Sequence, residues 1–372
     1  MDIKLRTSRS YSSKSVIAFN RYINVIKSNM MKKLVFTLFL LVNVAFTFAQ
    51  KYTFTVLQWN IWQEGTVVKG GFDAIVSEIA RLKPDFVTFS EVRNYNNTRF
   101  CDRVVNALAE RGMTYYSFKS DDSGLLSKNP ITDSTTVYPL NNDQGTCYRA
   151  LTTVNGRELA LYTCHLDYRS CAYYNVRGYH GSTWKEIPIP TSVAEVLTFN
   201  DQSVRDDAIR NFIQMAKEDV ARGRLVMIGG DFNEPSHLDW TRETKDLFDH
   251  HGLIIPWTVT LELDNAGFKD SYRELYPDIL KYPGFTYPSD NVDMPTNKLT
   301  WAPKADERER IDYIFYHPDA KLELKDAIIY GPSGCIVKNQ RVEETSKDRF
   351  LKHEGTWPTD HKGLLVTFQL KK

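Results

Sequence analysis

One arrangement recurs along this chain: a short β-branched or aromatic run ends, and a side chain able to bind a metal or move a proton follows within a few residues. Asn60 follows the run 54–58 and Glu91 the run 86–89. His165 and Asp167 follow 159–164, and Asp231 and Asn233 follow 225–230. Asp312 lies in Arg310-Ile311-Asp312-Tyr313, and Asp360-His361 precede the last run, 364–370. Taken singly, a carboxylate after a strand is a turn or cap residue. Polar groups at the ends of several strands, however, can converge on one crevice. Carboxylates and amides in such number form an oxygen-rich set suited to a hard cation such as Mg²⁺, leaving the two imidazoles for proton or phosphate work.

Between the runs, helical periodicity covers 72–82, 101–111 and 203–222. The nearly continuous Leu225-Val226-Met227-Ile228 suits a strand buried on both faces. The class is therefore α/β, with hairpins as well as crossovers. At 42% hydrophobic and 25% charged, the composition excludes a disordered or fibrous chain. No repeat or linker divides the chain after residue 50, so 51–372 reads as one domain.

Residues 1–50 read instead as an N-terminal extension and signal peptide. Lys32-Lys33 precede an apolar run of 16 residues, 34–49, closed by Thr47-Phe48-Ala49. The run is shorter than the roughly 20 residues a bilayer needs. It predicts cleavage after Ala49, export to the periplasm or exterior, and no transmembrane segment in the mature chain. Met30 or Met31 would then be the natural start. The first fifty residues hold eight Lys/Arg and one acid, and the remainder carries 39 basic against 45 acidic residues, a balance of −6.

Export makes the five cysteines disulfide candidates. The segment 147–164 reads as a hairpin turning at Asn155-Gly156, which sets Cys147 opposite Cys164 at a non-hydrogen-bonded position. That register favours a Cys147–Cys164 disulfide; Cys164 with Cys171, or five free thiols, are the alternatives.

In order, the chain carries Gln58-Trp59-Asn60-Ile61, Phe89-Ser90-Glu91-Val92, His165-Leu166-Asp167, Gly230-Asp231-Phe232-Asn233, Arg310-Ile311-Asp312-Tyr313-Ile314 and Thr359-Asp360-His361-Lys362. These motifs resemble those of the endonuclease/exonuclease/phosphatase superfamily, metal-dependent phosphoesterases with a DNase I-like fold, over residues 51–369. The resemblance implies a four-layer α/β sandwich of two facing mixed sheets flanked by helices. It implies Glu91 as the main Mg²⁺ ligand, Mn²⁺ being the substitute, with Asn60 and Asp360 in the metal region. Asp231 would activate the attacking water and Asn233 orient water or phosphate. His361, held by Asp312, and His165 would contact the phosphoryl group from opposite sides, with no covalent intermediate. Asp167 reads as an orienter, an extra ligand or a turn residue. The superfamily's catalytic tyrosine has no single counterpart, because Tyr168, Tyr173, Tyr174 and Tyr179 crowd one loop.

That loop is the departure from the family pattern. The insert 168–200 is aromatic and holds Arg169, Arg177, His180, Trp184 and Lys185, with Arg177 a candidate substrate contact. It reads as a lid or wall for a sugar, an inositol ring, a lipid headgroup or a stacked base, or else as a self-packed surface loop. Trp240, Trp257 and Trp301 belong either to a rim or to the core. The acidic balance and the absence of a Lys/Arg cluster disfavour a polynucleotide groove. The expectation is an exported, monomeric, Mg²⁺-dependent phosphodiesterase or phosphomonoesterase acting on a small or lipid-linked phosphoester. The alternatives are a secreted nuclease acting on DNA or RNA, and a non-catalytic binding module. The latter would normally have lost a Glu or His, and Glu91, Asp231, Asn233, Asp360 and His361 all stand.

Overall fold

The computed structural model describes residues 13–47 and 51–371. The chain divides into two units. One contains the helix α1 (Ser13–Thr47); the expected cleavage point after Ala49 lies outside the described residues. The other, Tyr52–Leu370, contains both large sheets.

Strands β1 (Tyr52–Asn60), β2 (Phe86–Val92) and β3 (Asp122–Ser127) begin the first sheet. The chain then builds the whole second sheet: β4 (Asp133–Tyr138), β5 (Gly145–Val154), β6 (Arg157–Leu166), β7 (Leu225–Asp231), β8 (Lys269–Asp270) and β9 (Asp312–Tyr316). It returns through β10 (Leu322–Tyr330), the ribbon β11 (Cys335–Val337) and β12 (Gln340–Val342), β13 (Phe350–Leu351) and β14 (Gly363–Leu370). The sheet orders are β13-β10-β14-β1-β2-β3 and β4-β5-β6-β7-β9-β8. Both are mixed: β1 is parallel to β2, β10 to β13 and β6 to β7, and the remaining neighbours are antiparallel.

Side-chain alternation along the strands decides what each face buries. Phe54 and Val56 of β1 and Phe86 of β2 pack between the sheets against Leu159, Leu161, Leu225, Met227 and Ile314. The intervening Leu57, Trp59, Val87 and Phe89 point the other way. They meet α2 (Gly71–Leu82) and α3 (Phe100–Ala109) through Ile75, Val76, Ile79, Val104 and Leu108. In α2 the apolar spacing Phe72, Ile75, Val76, Ile79 makes one helical stripe, and Lys83 in the left-handed region (φ 49°) ends it. The outer face of the second sheet is covered mainly by α6 (Arg205–Ala221) and α7 (Thr258–Asn265), through Ile209, Phe212, Val259 and Leu263. Helix, sheet, sheet and helix make the expected four-layer α/β sandwich.

Two expectations are corrected. The hairpin register is as read, with Cys147 facing Cys164, but both thiols are free and buried. The Cys164 Sγ leans over β7, within 3.8 Å of the Gly229 carbonyl, into the space a Cβ at Gly230 would occupy. The insert 168–200 is not one loop, since it folds α4 (Ala172–Val176) and α5 (Val193–Asn200), with a short α8 (Ser271–Leu275) later in the chain. Ser192 caps α5 by accepting from the Glu195 N–H at 3.2 Å.

Candidate active site

The same alternation builds the site. On the inner faces, apolar residues give way to polar ones toward one edge of the sandwich. Phe54 and Val56 lead to Gln58 and Asn60, Leu159 and Leu161 to Thr163 and His165, and Leu225 and Met227 to Asp231. Register sets His165 beside Asp231 and Asp231 beside Asp312 across the second sheet, and Asn60 beside Ser90 across the first.

Asp231 joins the two sheets. Its Oδ2 accepts from the Asn60 amide at 2.8 Å and its Oδ1 from the Asn233 backbone N–H at 2.9 Å. Its own N–H donates to Ser90 Oγ at 3.0 Å, and that hydroxyl donates to the Cys164 carbonyl at 3.0 Å. Two imidazoles flank it, with His361 Nε2 at 3.7 Å and His165 Nε2 at 4.0 Å from Oδ2. Each is gripped at Nδ1 by a carboxylate 2.9 Å away: Asp312 holds His361, and Asp122 holds His165. Asn233, at φ 50°, donates to the Leu166 carbonyl at 2.9 Å and sets its amide 3.1 Å from His165 Nε2.

Burial works against the charged imidazoles, but the surrounding acids outweigh it. Asp122, Asp231 and Glu91 push His165 up to about 9, and Asp312, Asp231 and Asp360 push His361 up to about 10. Burial raises Asp231 to about 6 even though both histidines oppose the shift. Burial, with the charges of Glu91 and Asp231, raises Asp360 to about 7.

Glu91 occupies a bulge where β2 slips against β3 between Ser90 and Val92, and its backbone is left-handed at φ 69°. The bulge turns its side chain into the cleft, where it accepts from the Gln63 N–H at 2.9 Å and the Asn60 amide at 3.1 Å. The cleft holds about 290 Å³ and is lined by Glu91, Asp231, Asp360 and Asp143. Its one guanidinium, Arg93, is engaged by Asp122 at 2.9 Å and Asp143 at 2.5 Å. Four carboxylates stand here against Arg93 and the two imidazoles, and such a set of oxygen donors suits a hard divalent cation. Ligand atoms of Asp231, Asp312 and His361 lie within 4.8 Å of one another, but Asp312 and His361 already bond each other. Glu91 and Asp360, which pair with neither an imidazole Nδ1 nor Arg93, would hold such an ion. Asn60 accepts from the Trp62 N–H at 2.9 Å and turns its amide nitrogen to Glu91 and Asp231, so it orients both acids.

Asp167 and Arg177 do not line the cleft, and of the three readings of Asp167 the structure selects the turn residue. Asp167 is a buried turn residue, accepting from the Arg169 backbone at 3.1 Å and the Val204 N–H at 3.4 Å. Arg177 is also buried, its guanidinium taken by Glu309 and by the carbonyls of Tyr173, Phe248 and Asp306. Conversely, Asp122 was not read from the sequence. The available signal was chemical, since His361 had a carboxylate assigned to hold it and His165 had none that was secure. Of the unplaced tryptophans, Trp240 and Trp257 are core, whereas Trp301 is 50% exposed at the cleft.

The sequence model of the endonuclease/exonuclease/phosphatase family matches residues 57–361. An uncharacterized protein of Caenorhabditis elegans, F14F9.5, is 27% identical over 342 residues, spanning 89% of this chain and 97% of that protein. Among solved structures, the chain is similar to D. rerio TDP2 complexed with a single-strand DNA product, with TM-score 0.49 and 18% identity, covering 85% of this chain and 98% of that one. It is also similar to the human Nocturnin catalytic domain with bound sulfate, with TM-score 0.48 and 15% identity, covering 87% and 97%. With the ordered motifs gathered at one sheet edge, the match over most of its length shows that this chain belongs to the endonuclease/exonuclease/phosphatase family and is a metal-dependent phosphoesterase.

Proposed function

We propose that this protein is an exported, Mg²⁺-dependent phosphodiesterase or phosphomonoesterase that hydrolyses a small phosphoester. The observation that carries the reading is the cleft itself, a space of about 290 Å³ with an acidic floor, an aromatic remainder and one guanidinium already engaged. A long polyanion calls for a track of free cations. Export rests on the apolar run 34–49 and its basic flank. Among the described residues no helix is long and apolar enough to cross a membrane.

In this reading Asp231, raised toward neutral pH, accepts a proton from the attacking water, and Asn233 holds water or phosphate in line. His361 and His165 donate from Nε2 to phosphoryl oxygens from two sides, each imidazole fixed by its carboxylate. Glu91 and Asp360 would hold the divalent cation, whose chemistry when bound would be to offset charge on the phosphoryl group.

The test incubates the purified chain with Mg²⁺, Mn²⁺ or EDTA and five substrates: bis-p-nitrophenyl phosphate, p-nitrophenyl phosphate, inositol phosphates, phospholipid headgroup esters and plasmid DNA. Metal-dependent release from the small esters with intact plasmid is the expected result. Plasmid cleavage that disappears in Asp231→Ala would make the protein a nuclease instead.

A further inference from the structure

The rest of the cleft lining is rich in aromatic rings. Trp184 and Trp301 lie 5.1 Å apart at an interplanar angle of 31°, and Tyr174 meets Trp184 edge-on at 4.8 Å. The Trp301 loop is fixed by the buried Glu307, which accepts from the backbone N–H groups of Trp301 and Ala302 at 3.1 Å each and from the Thr300 hydroxyl. Trp184 has a left-handed backbone, φ 59°, and its N–H donates to the His180 carbonyl at 2.8 Å. Its loop is seated through Gly181, where a Cβ would fall 2.2 Å from the Cys171 carbonyl oxygen. These rings are therefore placed before anything binds, which lowers the ordering cost of binding.

A second observation points to a ligand. Tyr287 lines the cleft with its ring 4.8 Å from that of His361, and its buried hydroxyl, next to the Tyr174 side chain, closes no hydrogen bond of good geometry. A buried hydroxyl whose hydrogen bond is left unclosed within the protein is suited to a polar group supplied from outside. The half-exposed Trp301 supplies the flat face, and Tyr287 the polar contact nearer the histidines.

We propose that Trp184, Trp301 and Tyr287 form a subsite for one planar, heteroatom-bearing ring carried by the substrate ester, a single nucleoside being the class that fits. This deepens the phosphoesterase reading and rests on it. A base offers a π-face to Trp301 and polar edges to Tyr287. Further phosphates, as on a polynucleotide or a polyphosphorylated inositol, would bring anionic charge into a cleft lined by Glu91, Asp143, Asp231 and Asp360.

Adenosine is the probe that separates the subsite from the chemistry, because it has no phosphate to lose. Titrated into the intact chain, it should quench tryptophan fluorescence saturably, whereas myo-inositol should not. Trp301→Ala should weaken adenosine by about tenfold, and Trp301→Phe should largely restore it. With Mg²⁺ present, Trp301→Ala should lower kcat/KM about tenfold for AMP or its methyl diester and leave glycerol 3-phosphate or its methyl diester within about twofold. Adenosine binding unchanged by Trp301→Ala, or inositol binding as tightly as adenosine, would overturn the subsite. Binding as expected with no ester hydrolysed would instead overturn the phosphoesterase reading and leave the subsite standing.

Discussion

The two histidine–carboxylate pairs have equal Nδ1–oxygen distances, 2.9 Å, yet they are mounted differently. Each bridges the sandwich: His165 on β6 reaches Asp122 on β3, and His361, just before β14, reaches Asp312 on β9. Asp312 is inside a sheet and wholly buried, its other oxygen 3.4 Å from the Gln58 amide and its backbone N–H donating to Thr286 Oγ1 at 3.1 Å. Asp122 begins an edge strand, has a left-handed backbone at φ 62°, and shares its second oxygen with the partly exposed Arg93. The core pair is thus fixed by packing, and the edge pair by an ion pair that water can reach. Position in the sheet, not the pair's own geometry, decides how replaceable each carboxylate is.

Removing what both pairs serve should cost most. Asp231→Ala is expected to reduce turnover about a thousandfold while the protein stays folded, as checked by initial rates beside circular dichroism. Next comes the core pair: Asp312→Ala should lose about a hundredfold, since it frees His361 and leaves its Nδ1 without a buried partner. If Asp122→Ala lost more than Asp312→Ala, the ranking of core over edge would be wrong. Arg93→Ala should cost about fivefold or less, because solvent can replace much of a partly exposed guanidinium. Added salt should shrink that difference.

Stability against pH sharpens the comparison further. His165 is held to about 9 in the fold against an ordinary value of 6.5, so its contribution is complete below pH 6.5 and is lost as pH rises through about 9. Burial opposes the charge on Asp122, but His165 and Arg93 outweigh it and hold the carboxyl below its usual range. Its contribution is accordingly present above its ordinary value and lost only in stronger acid. In EDTA, the unfolding free energy should fall between pH 6.5 and 9, and Asp122→Ala should shrink that fall by an amount on the order of 1–3 kcal/mol. An unchanged slope would show that Asp122 does not govern the charge on His165.

The difference between the pairs also marks what could be read from the chain. Alternation along Phe54-Val56-Gln58-Asn60 and Leu225-Met227-Gly229-Asp231 carries both the core and the turn toward polarity, so the layers and most of the site were legible. Polar residues that follow a strand mark the site at β1, β2, β6 and β7, whose C-terminal ends meet the cleft. β3 is antiparallel to β2, and its site-facing residue, Asp122, comes first. Asp312 begins a strand for the same reason and was recognised through its motif. The errors are also non-local. Arg177 is claimed by Glu309, 132 residues away, and Cys164 is drawn toward a glycine on another strand. Neither pull has a signature in the neighbouring sequence.

The most direct test of the site is a double-mutant cycle on the pair that the sequence did not reveal. Initial Mg²⁺-dependent rates on bis-p-nitrophenyl phosphate would be measured for His165→Gln, Asp122→Ala and the double variant, with melting temperatures alongside. If Asp122 is a positioning residue that acts through His165, the double variant should be no slower than His165→Gln alone. Losses that multiply would contradict it, showing that Asp122 and His165 work apart and that the second pair is not a functional unit.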